Sequence, residues 1–461
     1  GMLSGTYDYA GDADGDDTQT LGGNARMGLS RTLLNGVELS SRIMVDIVKL
    51  LTQDASSSLG LFADAGISIP LLRGAGYKVA GEALKQAEQD LLYAVYDFER
   101  FKREFAVRIA DEYLGVLQDK QRVLNAEQNY RGLVAASRRS RRLADAGRLP
   151  EFQFDQAVQD ELRARSRWVS ARQSYAAGLD AFKTSLGLPP DARIRLDGAE
   201  LDRLHVIADR TTGNVGRQLH TGDVPPADAP VDLREPDRAG GGPLELDVEI
   251  ATRLALQSRL DLREAAGRVA DAQRAVHIAA DALRAEFTLL GDAGVGARRT
   301  SGADAGSDDA KLRFDEGSYG AILNLDLPFE RTAERNAYRT SLLDLQAAVR
   351  TYQEIEDGVK LDVQNGLRNL MQARQELMIQ LQAVTLAEKR VSSTDLFLQA
   401  GRVEVRDVLE SQEALLTAQN ALTAAVVSYR IAELALQRDL GLLQVSQDGI
   451  WNEYRPEEST P

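Results

Sequence analysis

The chain has 461 residues, a formal net charge of −15 and an isoelectric point near 4.9, an acidity that argues against nucleic acid or anionic lipid as the main partner. It has no cysteine, which excludes disulfides and thiolate metal sites. No run of 18 apolar residues occurs, which excludes a transmembrane helix.

Residues 1–70 read as β structure. Leu3 to Ala10 is a strand, Gly11 to Asp17 an acidic loop, and Leu59 to Pro70 a final strand. Between them, Ala25 to Leu33, an Asn35-Gly36 hairpin signal and the alternating Val37, Leu39, Ser41, Ile43, Val45, Ile47 run predict an added β-hairpin. Gly1-Met2 runs straight into a strand, which reads as a truncated start. The expectation is that about 40 residues of helix, with any linker and signal, lie upstream.

Residues 71–188 predict a long helical hairpin. Leu84, Leu91, Phe98 and Phe105 are seven apart, then the ladder steps by four to Ile109 and resumes at Val116, Val123 and Tyr130. Such a stutter relaxes a supercoil without breaking the helix. It is either ordinary irregularity or a change of helix course. Ala146-Gly147-Arg148-Leu149 makes the turn. Phe154, Glu161, Trp168, Tyr175 and Phe182 then alternate with the small Ala157, Ala164, Ala171, Gly178 and Ser185. A large residue at one seam position and a small one at the other lets helix backbones approach closely. Leu186-Gly187-Leu188 and Pro189-Pro190 stop the hairpin.

Residues 189–245 hold seven of the twelve prolines and the Gly240-Gly241-Gly242 run, an irregular linker with short elements around Leu201 to Arg210. Residues 246–285 predict one helix, and 286–328 a second pair of strands, Glu286 to Val295 and Ser318 to Pro328, around the acidic stretch Gly302 to Asp309. In the last strand Tyr319, Ala321, Leu323, Leu325 and Leu327 alternate with Gly320, Ile322, Asn324 and Asp326. That pattern fits lipid on one side and water on the other, or a half-buried strand of a soluble sheet. The acidic loops are either solvated or weak divalent-cation ligands.

Residues 329–445 predict the second helical hairpin, followed by a tail at 446–461. Leu342, Val349, Glu356, Val363, Leu370, Leu377, Val384, Val391 and Leu398 form a heptad ladder, and no proline interrupts 329–455. At about 1.5 Å per residue, a helix of roughly 70 residues ending near Gln399 spans about 100 Å. After Ala400-Gly401-Arg402-Val403 come Val408, Leu415, Leu422, Tyr429 and Leu436, with Ser411, Ala418, Ala425 and Ala432 three further on, then Leu440-Gly441-Leu442.

The two hairpins are therefore one unit written twice. The turn and stop of the first recur 254 positions later, Gly147 as Gly401 and Gly187 as Gly441, and Tyr175 falls on Tyr429. Length alone predicts about three globular domains, but hairpins this thin cannot enclose a compact core. Hydrophobic residues are 43% of the chain and aromatic residues only 6%. Most of the seam must be covered by neighbouring hairpins or further copies of the chain.

Nothing in the sequence marks an enzyme or a bound cofactor. Gly291, Gly294 and Gly296 lack dinucleotide spacing and lead into a loop. His205, His220 and His277 are scattered, and no Ser-His-Asp, metal-ligand or P-loop pattern occurs.

Two copies of strands plus long hairpin, the Ala-Gly-Arg turns, the Leu-Gly stops and the Ile69-to-Gly76 entry into a helix resemble the TolC-like outer-membrane efflux proteins. The resemblance implies a mainly α fold with a small β part, two tandem repeats of antiparallel coiled-coil hairpins whose strands contribute to a trimeric α/β-barrel channel. It further implies a homotrimer in outer-membrane lipid of a Gram-negative bacterium, with its helices in the periplasm. The channel would be a passive exit duct for a tripartite efflux or type I secretion system, working with a periplasmic adaptor and an inner-membrane pump. The alternative is a non-catalytic periplasmic coiled-coil scaffold or adaptor. The family places acids six and nine residues after the second turn glycine, at the channel constriction, and Asp407 and Glu410 stand there. Convergent carboxylates would favour cations; the competing reading is two acids complementing a helix dipole. Gly147, Arg148, Gly401 and Arg402 would form the tips where an adaptor docks. Arg138, Arg139, Arg141 and Arg142 crowd the first tip, as dipole complementation or as part of that docking surface.

Overall fold

In the computed structural model the repeat persists down to single hydrogen bonds. Residues 2–11, 17–50, 57–212, 241–296, 312–327 and 329–454 are described. The order is β1 (Met2–Gly11), β2 (Asp17–Thr32), β3 (Glu38–Leu50), β4 (Ser57–Pro70), α1 (Tyr77–Ala80), α2 (Glu82–Asp145), α3 (Glu151–Ser185) and α4 (Ala199–Thr212). Then follow α5 (Val248–Ser258), α6 (Leu260–Asp281), β5 (Glu286–Gly296), β6 (Ser318–Asp326), α7 (Thr332–Gln399), α8 (Val405–Asp439), β7 (Gln444–Val445) and β8 (Trp451–Asn452). Each hairpin's second helix has 35 residues, and its first ends 254 positions before its counterpart. The long helix α7 has 68 residues, and α2 runs unbroken through the four-residue step at Phe105–Ile109.

The chain divides into two units, one of residues 1–94 and 264–353, the other of 95–263 and 354–461. In the first, six antiparallel strands pair in sequence order, β1-β2-β3-β4-β5-β6. The predicted added hairpin is present and longer than its sequence signals, because pairing continues from Thr20↔Leu50 to Thr32↔Glu38. Its turn is wider than the two-residue loop an Asn-Gly pair favours. The Leu33 amide donates to the Val37 carbonyl at 2.7 Å, Gly36 takes φ 93°, and the Asn35 side chain accepts from the Val37 amide at 3.2 Å. Below the sheet, the Tyr93 hydroxyl donates to Asp271 at 2.7 Å, and Arg274 bridges Glu82 and Asp271 at 2.9 and 2.7 Å, tying α2 to α6.

In the second unit the seam ladders of α7 and α8 form the core. Val363, Leu370, Leu377 and Leu436 are fully buried, with Leu117 from α2, Phe182 from α3 and Ala251 and Ala255 from α5 around them. The linker closes over this core where Glu245 meets Arg374 at 2.6 Å, both almost wholly buried. The approach is close but out of line for a hydrogen bond, so Coulomb attraction holds it.

The structure corrects one sequence expectation and adds detail to two. Residues 246–285 form two helices, because Arg259 adopts an extended ψ of 129°. Its guanidinium is held by Asp261 at 2.6 Å and Asp362 at 2.9 Å, which fixes the break. The linker contains a 14-residue helix, α4, whose Leu201 and Leu204 join the core. The tail carries the short β7–β8 hairpin, with Trp451 packed on Val107, Ala110, Leu434 and Leu443. The acidic loops and His220 fall on residues outside those described, as does the side chain of His205.

All four hairpin glycines end their helices identically. Gly147, Gly187, Gly401 and Gly441 have φ between 66° and 72°. In each case the next amide reaches back five residues and the glycine amide three: Arg148 to Leu143, Leu188 to Lys183, Arg402 to Phe397 and Leu442 to Gln437. This is the Schellman closure. Gly441 carries a second constraint, since a Cβ there would lie 3.0 Å from the Ser258 carbonyl at the α5–α6 break, while the other three have open space.

Alanine at Gly147, Gly187 or Gly401 should lower stability by about 1 kcal/mol each, the cost of a left-handed residue, and Gly441→Ala should cost clearly more; equal losses in thermal denaturation followed by circular dichroism would refute the close approach. Burial raises the Glu433 carboxyl above its ordinary 4.5 despite the neighbouring Arg430. A raised carboxylate penalises the folded state above its folded pKa, so stability should rise as pH falls from neutrality through it. Glu433→Gln should flatten that slope.

Candidate functional site: the hairpin tips

Both tips belong to one small core. Leu133 of α2, Ala157 and Ala164 of α3, and Val405 and Leu409 of α8 are buried together, with Leu149 and Leu398 from the two turns against them. The turns at Gly147 and Gly401 therefore lie at the same end of the second unit. Arg139 reaches Asp395 of the other hairpin at 2.8 Å, and Arg167 pairs with Glu413. Arg141 folds back on Asp145 at 3.2 Å and over the Phe154 ring at 5.1 Å, so the basic cluster is partly absorbed into local structure. Arg138, Arg142, Arg148 and Arg402 remain exposed.

The candidate constriction acids occupy the first turns of α8. Asp407 closes a capping box: its carboxylate accepts from the Glu404 amide at 3.0 Å while Glu404 accepts from the Asp407 amide. Four unpaired amides at a helix start need such acceptors. Glu410 is exposed and meets Arg390 at 3.0 Å. Each acid thus has a local role within a single chain. The first repeat lacks the box, because its cap is Pro150, with no side-chain acceptor.

The sequence reading stopped at two acids, but the stripe is longer. Glu404, Asp407, Glu410 and Glu413 recur every three residues, and Gln153, Gln156 and Gln159 stand at the positions equivalent to the last three. Spacing alone shows this once the 254-residue offset is applied. Neutral amides thus replace carboxylates of similar shape in one repeat only. A second missed feature is a polar layer between α2 and α8. Asn125 is buried and donates to Asn420 at 3.0 Å, and Asn129 donates to the Gln412 carbonyl at 3.3 Å. Polar residues within an apolar seam fix helix register at some cost in stability. They sit at seam-flanking positions that a heptad of large and small residues does not single out.

Among the described residues no group of histidines and acids could hold a metal ion, and no helix is long and apolar enough to cross a membrane.

Residues 251–442 match the family described as outer membrane efflux protein. Nothing among the curated proteins matches the chain by sequence. Solved structures of the same fold include the outer-membrane channel OprN, with 17% identity over 90% of this chain and 81% of that one and a TM-score of 0.61. CusC aligns at 14% identity over 92% and 83% with a TM-score of 0.61, and VceC of Vibrio cholerae at 16% over 92% and 87% with 0.59. A protein of tandem helical hairpins, each preceded by strands of one antiparallel sheet, is the class these observations define. Within that class, residues 251–442 carry the outer membrane efflux protein match, and the chain as a whole has the fold of those solved channels.

The capping geometry gives a graded expectation. Asp407→Ala should lower stability by about 1 kcal/mol through loss of the box, whereas Glu410→Gln should change it by less than about 0.5 kcal/mol because an exposed ion pair is weak. Thermal denaturation of the two variants compares them, and an equal loss would show that Asp407 does not cap.

Proposed function

We propose that the chain is the outer-membrane exit duct of a tripartite efflux or type I secretion system, a passive conduit that performs no chemistry. One observation carries this reading: neither unit is complete in a single copy. The sheet keeps open edges at β1 and β6. In the helices, α8 buries fourteen of its side chains, while its equivalent α3 buries four and exposes Phe152, Leu162 and Val169. Helix faces and strand edges of this kind are stable when closed by further copies, and three copies suit the family.

In that trimer the acids of α8 would ring a narrow aqueous path, with Asp407 and Glu410 forming the periplasmic constriction. Their carboxylates would concentrate cations there. The paired tips, with Gly147, Arg148, Gly401 and Arg402 at their turns, would be the surface that meets a periplasmic adaptor, itself joined to an inner-membrane pump.

Purified protein reconstituted in planar bilayers should form channels. The double substitution Asp407→Asn, Glu410→Gln should reduce the cation-to-anion permeability ratio, measured from reversal potentials in a salt gradient. A trimer that inserts yet conducts nothing would end the duct reading; unaltered selectivity would remove only the acidic ring.

A further inference from the structure

The first repeat contributes four strands and the second only two. We infer that the added hairpin β2–β3 is part of the membrane wall, so that three copies of this six-stranded sheet close an eighteen-stranded barrel. The inference rests on the outer-membrane duct proposed above and states what kind of pore that duct has.

Length comes first. A strand needs about 9–11 residues to cross a bilayer. The added strands have 16 and 13, and every strand of the sheet has at least nine. The closed end of the hairpin also lies at the proper level. A Cβ on Gly36 would sit 2.7 Å from the Gly74 carbonyl and 2.9 Å from Pro70, so the turn packs against the point where β4 leaves for α1. The opposite ends lead into connections of five residues (12–16) and six (51–56), no shorter than the five of this turn (33–37), and β5 leads into one of 21 (297–317). Of these, only the β5–β6 connection has the length of the long outer loops that outer-membrane barrels carry. A flap or plug would not span between these two levels.

The pairing then carries one apolar face across all the strands whose side chains are described. Met27 and Leu29 of β2 stand beside Ile43 and Ser41 of β3, which stand beside Ala63 and Ala65 of β4. Ala63 and Ala65 face Val295 and Ala293 of β5, and Ala293 faces Tyr319 of β6. Met27 and Leu29 are about three-quarters exposed, at 75% and 74%, and Leu323 of β6 is 62% exposed. Residues this apolar and this open need lipid against them.

The opposite face of the added hairpin is charged and polar, with Asn24, Arg26 and Ser30 on β2 and Glu38, Ser40, Arg42 and Asp46 on β3. Arg42 meets its register partner Asp64 of β4 at 3.8 Å. A one-residue slip would exchange the faces. None occurs at any of the strand pairs. The hydrogen bonding is continuous along the wall, and the alternation holds with Arg31 as the exception on the apolar face and Met44, Phe62 and Ile322 as exceptions on the other.

An even strand number also keeps the ends compatible. With six alternating strands, β6 of one copy runs antiparallel to β1 of the next, the pairing an up-and-down barrel requires. At about 4.8 Å between strands and a tilt near 40°, eighteen strands enclose a backbone cylinder roughly 36 Å across, against about 24 Å if the added hairpin were left out. A barrel of the wider kind holds an open water column. Sieving would then fall to the hairpin tips and not to the membrane part.

The chain has no cysteine, so single-cysteine variants need no background removed. Met27→Cys, Ile43→Cys and Val45→Cys would carry a nitroxide on the apolar face, and Arg26→Cys, Arg42→Cys and Met44→Cys on the other, with Leu323→Cys and Asn324→Cys on β6 as references. In liposomes, the first set should collide with dissolved oxygen and the second with a water-soluble nickel chelate, in the same alternation as β6. Nickel access to both faces of β3, with β6 still alternating, would place the hairpin outside the wall and overturn the inference alone. Loss of alternation on β6 as well would overturn the outer-membrane duct itself. As a second measurement, deletion of residues 17–56 should shrink the barrel of detergent-solubilised trimers by about a third in end-on electron-microscope averages; an unchanged diameter would refute the eighteen-stranded wall.

Discussion

A helix about 10 Å thick and 68 residues long cannot shelter its own apolar faces, and most of this protein's architecture follows from that mismatch. Small residues at alternate seam positions let backbones approach, which turns thin helices into pairs. Ala157 and Ala164 in one hairpin and Ser411, Ala418 and Ala425 in the other are buried for this reason. Pairs still leave apolar faces outward, as Leu91, Phe98, Leu343 and Leu361 do on the two longest helices. Continuing the same packing sideways, onto further copies, is the remedy that the proposed assembly supplies.

The duplicated halves are equivalent in backbone and unequal in chemistry. The four Schellman closures coincide bond for bond, and α3 and α8 have the same length. Yet α8 is packed against both α2 and the closing linker, whereas α3 is largely bare. The linker's Glu245 reaches Arg374 of α7, and Arg430 of α8 bridges Glu433 and Glu453. Around α3 the charges differ: Ala176 and Leu179 stand in place of Arg430 and Glu433, while Lys120, equivalent to Arg374, donates to the Leu196 carbonyl at 3.1 Å. The same asymmetry reaches the tips, where one repeat has carboxylates at the positions that carry glutamines in the other. In a threefold assembly, two kinds of hairpin would alternate around the axis, so that the acids come from every second hairpin.

Fold was legible wherever a period or a punctuating residue carried it. The Gly turns, the Leu-Gly stops and the seam ladders gave helix ends within a residue or two, because left-handed glycines and heptads are local signals. Strand pairing was legible in outline for the same reason: alternation marked the added hairpin, but not its full extent, since Gly22, Gly23 and Asn24 break the apolar pattern while the pairing continues. The break at Arg259 was not legible. It depends on Asp362, 103 residues away, and on the close approach of Gly441, neither of which leaves a trace near residue 259. At the tips, only resemblance singles out Asp407 and Glu410 as constriction candidates, while the capping box is readable from Glu404 and Asp407 at their three-residue spacing.

The two repeats also show which parts of such a protein can change length. From the first turn to the last stop, an offset of 254 holds through both second helices, because one residue gained or lost would rotate every later seam position by about 100°. The long first helices differ only by a step of four, close enough to one turn that α2 continues without interruption. The β part has changed by whole strands. Strands alternate direction, and the helices leave from one end of the sheet, so a single extra strand would deliver the chain to the wrong side. A pair returns it to the same edge, with the same face outward, at the start of β4. The added hairpin is therefore the smallest increment by which the sheet can grow while the helical half stays in register.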